Sequence, residues 1–147
     1  EHPNFGDRGL QLSRSFRALK VWMSVQTFGM AAFRRAVASG IELAARAEEH
    51  VRASDVLEIA NPASLGILCF RVNPKGAEID EDELEALNDA VQTRVIDTGT
   101  AMMSSTRLRG RYSLRLCILN HNTTWDDVRE TLEAIERFGL EAVAATS

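Results

Sequence analysis

The residues best suited to chemistry lie in Arg111–Asn120, an apolar run with an arginine in its middle. Side chains alternate across a strand, so Tyr112, Leu114, Leu116 and Ile118 share one face while Ser113, Arg115 and Cys117 share the other. The first face reads as core. The second presents a guanidinium between two small residues, which leaves room for a partner to approach. Arg115 there either grips a carboxylate through two parallel hydrogen bonds, reaches solvent, or pairs with an acidic neighbour in the fold. Strand geometry alone leaves these three open. Cys69 and Cys117 each sit inside an apolar run and read as buried free thiols in a reducing compartment. His2, His50 and His121 are scattered without metal-ligand spacing, so no metal site is expected. There is no glycine-rich phosphate loop and no nucleophile elbow, and no catalytic residue is assigned. The only lysines are Lys20 and Lys75, which limits any chemistry that needs an imine-forming amine.

These groups must be positioned by a chain of 147 residues, enough for one domain with a core. Its 45% hydrophobic and 26% charged composition is ordinary for a globular protein. A net charge of -4 argues against a general nucleic-acid binder. Apolar runs are broken by charges before spanning length, so no membrane partner is expected. The N-terminus lacks the basic and apolar regions of a signal peptide, and a cytoplasmic location is the expectation.

Residues 1–12, with Pro3, Gly6 and Gly9, read as an extended entry segment. Ser13 is placed as an N-cap. A helix then carries Phe16, Leu19, Val21, Trp22, Met23, Val25 and Phe28, too many apolar positions for one narrow stripe. Gly29 is placed to end it in a left-handed turn. A second helix over 30–52 has Phe33, Val37, Ile41, Leu43, Ala44, Ala47 and Val51 near one face, with Gly40 marking a close contact. Asn61-Pro62 reads as a break between short strands at 56–60 and 65–72. Asp80 and Glu83 form a capping-box signal for a helix with a Leu84, Leu87, Val91, Val95 stripe, closed by Gly99. Residues 101–107 and 111–119 read as a hairpin around Arg109-Gly110. Thr124 and Asp127 cap a last helix, with Gly139 ending its regular part.

The expected order is two helices followed by β-β-α-β-β-α. That is an α+β fold with an antiparallel sheet covered by helices. The run 65–72 is apolar on both faces and the first helix is apolar nearly all round. A sheet with one solvated face does not look like that, so a partner or the rest of a larger protein should cover these surfaces.

The block Leu12-Ser13-Arg14-Ser15-Phe16-Arg17-Ala18-Leu19-Lys20-Val21-Trp22, then Phe28-Gly29 and Ile41-Glu42-Leu43-Ala44, resembles the pyridoxal-phosphate-dependent group II amino-acid decarboxylases. That family includes the aromatic-L-amino-acid, tyrosine and glutamate enzymes. Gly66-Ile67-Leu68-Cys69-Phe70-Arg71 is similar to a second family motif. Leu114-Arg115-Leu116 through Asn122, with Asp126-Asp127 and Ile135-Glu136, is similar to a third. The matches run in family order over nearly the whole chain.

The resemblance implies the C-terminal small domain of a fold-type I enzyme. Residues 13–52 would link a large domain to an α+β domain at 53–147. It implies that pyridoxal phosphate serves the intact enzyme, held by a large domain that carries the His-Lys motif absent here. None is expected on this chain alone, which would be inactive by itself. It further implies a homodimer and a small-molecule amino-acid substrate. Arg115 becomes a candidate clamp for the substrate carboxylate, and Arg14 and Arg17 candidate contacts to the large domain or second subunit. Ser15 departs from an arginine found in some relatives. The alternative is a ferredoxin-like or ACT-like interaction or regulatory domain without enzymatic activity.

Overall fold

A computed structural model describes residues 15–146. The entry segment 1–12, the proposed cap Ser13, and Arg14 lie outside the described residues. The chain forms two compact units, one ending at Arg35 and the other beginning at Ala36.

Helix α1 spans Arg17–Ala53 and is interrupted at Gly29, with φ 74° and ψ 154°. The expected left-handed turn is therefore replaced by a conformation with extended ψ, a region essentially reserved for glycine. Helix resumes directly at Met30. Before the break, Val21, Trp22, Met23 and Phe28 are all exposed.

The second unit holds the core. Four strands follow in two hairpins, β1 (Leu57–Ser64) with β2 (Ile67–Val72), and β3 (Ser104–Leu108) with β4 (Arg111–Cys117). Between the hairpins lies α2 (Glu81–Asp97), and α3 (Trp125–Thr146) ends the fold. The sheet is antiparallel with order β1-β2-β4-β3. Leu68, Phe70, Val72, Leu114, Leu116 and Ile118 point into one core. The late part of α1 meets them with Leu43, Ala44, Ala47 and Val51, α2 with Val91 and Val95, and α3 with Val128, Leu132, Ile135 and Phe138. The later part of α1, α2 and α3 thus cover one face of the sheet, as an apolar stripe on each requires.

Several local readings change. Asn61-Pro62 does not break the chain: β1 continues through it, with register shifts either side of Asn61. An edge strand tolerates this because its outer N–H groups need no ladder partner. The turn instead lies at Leu65-Gly66, with Leu65 at φ 54°. The third strand starts at Ser104 rather than 101. Arg109 and Gly110 do make the hairpin turn, both at positive φ, which matches the twist of the flanking strands. Both capping boxes form. Asp80 and Glu83 exchange side-chain-to-backbone bonds, as do Thr124 and Asp127.

Gly139 does not end α3, which runs past it to Thr146. It serves close packing instead: a Cβ there would lie 2.6 Å from a Val72 methyl. Gly40 works the same way against the sheet. A Cβ at Gly40 would sit 2.8 Å from the Ile118 carbonyl oxygen, and one at Gly66 would sit 2.7 Å from the same atom. The Ile118 N–H donates to the Gly66 carbonyl at 2.7 Å.

Asn88 was not legible as a core residue, yet it is fully buried. Its side chain accepts from Val72 N–H at 2.8 Å and donates to the Val72 carbonyl at 2.9 Å and the Leu84 carbonyl at 2.8 Å. The β2–β4 pairing ends at Phe70↔Leu114, so this amide satisfies the next strand position.

Replacing Asn88 with alanine strands two buried backbone groups and should lower stability by about 2–4 kcal/mol in urea denaturation. Gly40→Ala sets a helix-propensity gain of about 1 kcal/mol against a backbone clash, and overpacking of this kind costs about 1–3 kcal/mol. The clash should win, lowering the melting temperature.

Candidate functional site

Strand alternation that sends Leu114 and Leu116 to the helices sends Arg115 to the opposite face. There the register makes a cross-strand row of Cys69, Arg115 and Ser104. Arg115 is half-buried, and its Nε donates to Ser104 Oγ at 3.0 Å. Among the described residues, no carboxylate lies in ion-pair range of its guanidinium. Of the three readings of Arg115, pairing with an acidic neighbour in the fold is therefore not what the described residues form.

Arg71, on the same face by alternation, is the contrasting case. It is 6% exposed, and its Nε donates to Glu58 at 2.8 Å while Nη1 donates to Glu81 at 2.8 Å. Burial disfavours its charge, but the two carboxylates outweigh that and raise its pKa. A buried guanidinium with two counter-charges is a structural element. Arg115, by contrast, is held by a neutral hydroxyl and has no ion-pair partner among the described residues.

The two thiols differ. Cys69 is buried, and burial pushes its pKa up despite the nearby charge of Arg115. It stays a neutral thiol, unsuited to nucleophilic work. Cys117 is exposed rather than buried. It is the last residue of β4, opposite Ile67 and on the same face as Arg115. On the far side of the Arg115 row from Cys117, Ser113 pairs across to Thr106. Its hydroxyl is buried without a hydrogen-bond partner among the described residues.

Arg17 is exposed in α1, where its Nε meets Ser15 Oγ at 3.4 Å. Arg14 lies outside the described residues. Lys20 is exposed on α1, and Lys75 is paired at 2.7 Å with exposed Asp55. Neither is a buried amine of the kind that forms imines. Sequence reading missed Ser104. Its signal lay in hairpin register: with the turn at Arg109-Gly110, counting outward places Ser104 opposite Arg115.

A family model described as the pyridoxal-dependent decarboxylase conserved domain matches residues 2–73. The aromatic-L-amino-acid decarboxylase of Bacillus atrophaeus is 38% identical over 138 residues, covering 94% of this chain and 28% of that protein. The phenylacetaldehyde synthase of Petunia hybrida is 31% identical, covering 78% of this chain and 24% of that protein. The crystal structure of Oryza sativa TDC with PLP and tryptamine superimposes with a TM-score of 0.82 at 28% identity, covering 97% of this chain and 30% of that one. The chain therefore spans under a third of the length of these relatives.

Acid should weaken the Arg71 cluster. Burial raises the pKa of Glu58, but bonds from Asn73 and Arg71 and the charges of Arg71 and Arg111 outweigh it, leaving a net lowering from 4.5. The stabilisation is complete above that value and is lost as pH falls through the depressed one. Urea denaturation from neutral pH down to about pH 3 should show falling stability, and Glu58→Gln should flatten that slope.

Proposed function

This chain belongs to the group II pyridoxal-phosphate-dependent amino-acid decarboxylase family, and we propose that it is the C-terminal small domain of such an enzyme, a carboxy-lyase acting on an L-amino acid. The observation that carries this role is Arg115: a guanidinium on the sheet face opposite the helix-packed core, without a carboxylate partner among the described residues. It binds the substrate α-carboxylate by a charge-assisted pair and so orients the bond to be broken.

Pyridoxal phosphate, when bound to the intact enzyme, supplies the electron sink for loss of the carboxylate. Neither Lys20 nor Lys75 suits attachment of that group, so a large domain elsewhere in the protein holds it. The present chain alone is then not catalytic. Exposed Trp22, Phe28 and Arg17 of α1 and Ile67 of the sheet support contact with that domain or with the second subunit of a homodimer, a role given to Arg14 by the sequence motif alone. Residues 13–52 act as the link and 53–147 as the small domain proper, the later part of α1 packing with the latter. The names of the relatives support an aromatic amino acid as substrate.

Full-length enzyme should decarboxylate at least one of L-tryptophan, L-tyrosine, L-phenylalanine or L-glutamate. This chain alone, mixed with pyridoxal phosphate, should give neither turnover nor a stoichiometric visible absorption band. In the full-length enzyme Arg115→Ala should reduce kcat/KM by about 2–4 kcal/mol in transition-state stabilisation. Arg115→Lys should recover little, because an ammonium cannot reproduce the planar fork. The melting temperature should barely move in either variant. Normal turnover by Arg115→Ala would remove the clamp role.

A further inference from the structure

We infer that Ser104 is a positioning residue that fixes the substrate-facing edge of Arg115, an inference that rests on the carboxylate-clamp role of that arginine. A guanidinium offers two forks to a carboxylate: the end formed by Nη1 and Nη2, and the side formed by Nε and one Nη. Ser104 Oγ accepts the hydrogen bond from Nε–H at 3.0 Å. That closes the side fork and leaves only the Nη1/Nη2 end for a ligand.

Three features make this a device rather than an incidental contact. First, Ser104 is the direct cross-strand partner of Arg115, so both ends of the bond are anchored on one antiparallel ladder. Second, the partner is neutral. On the same sheet face Arg71 is met by Glu58 and Glu81 and its charge is spent within the fold. A carboxylate at position 104 would do the same to Arg115, whereas a hydroxyl orients the group and leaves its charge for a ligand. Third, the bond draws the guanidinium toward β3. The opposite neighbour in the row is the buried thiol Cys69, a weak hydrogen-bonding group that does not compete for the remaining N–H donors.

The test uses the full-length enzyme with L-tryptophan, L-tyrosine and L-phenylalanine as substrates, and tryptamine, tyramine and phenethylamine as product inhibitors. Ser104→Ala should raise KM by about tenfold, the scale of one lost hydrogen bond to a charged group, with a smaller effect on kcat. Ser104→Thr retains the hydroxyl and should restore KM. Inhibition by the amines, which lack the carboxylate, should be unchanged. In an Arg115→Lys background, where no Nε remains, Ser104→Ala should add nothing.

If Arg115→Ala itself binds and turns over substrate normally, the clamp role is wrong. If Arg115→Ala is impaired while Ser104→Ala matches the unmodified enzyme, the clamp stands and the positioning role of Ser104 is wrong. Equal losses for amino acids and amines, with a lowered melting temperature, would make Ser104 merely structural and overturn the inference.

Discussion

The two-residue period of β4 governs everything that Arg115 can do. Leu114 and Leu116 lie beneath the helices, and successive strand side chains point to opposite faces. Arg115 therefore stands on the face opposite the one that α2, α3 and the later part of α1 pack against. A slip of one residue would exchange the faces, placing a charged guanidinium in the core and two leucines outside, which is prohibitive. The position of the arginine is thus a by-product of core burial, set by its apolar neighbours.

Close backbone approach supports this arrangement from the side. The Ile118 carbonyl sits where side chains at Gly40 and Gly66 would otherwise be. Gly66 also accepts the Ile118 N–H, so the end of β4 is tied to the β1–β2 turn while α1 seats against it. Two glycines far apart in sequence thereby serve one contact. In the proposed role, this fixes the sheet that presents Arg115 toward a cofactor held by another domain.

Much of this was legible in the chain. Helix periodicity and the Asp80/Glu83 and Thr124/Asp127 pairs located α2 and α3, because capping is a local hydrogen-bonding problem. The alternation around Arg115 gave its face for the same reason. What escaped notice depends on distant partners. Pro62 reads as a breaker until β1 is known to be an edge strand. Gly139 reads as a helix end until Val72 is known to press against it. Asn88 is not one of the apolar residues of the α2 stripe, and nothing local reveals the orphaned strand position that it satisfies. Cys117 was read as buried because an apolar run does not say which face the helices leave bare.

Asn88 has one more consequence. By bonding both polar groups of Val72, it occupies the slot in which a further β2–β4 pair would form. A β4 shifted along β2 by a full two-residue step would keep its leucines on the correct face, so the hydrophobic pattern does not forbid it. Such a shift in the direction of Val72 would have to displace a buried, fully bonded amide. Asn88 is thus an end-stop on the ladder, guarding against an error in alignment toward Val72 that core burial tolerates and that would part Arg115 from Cys69.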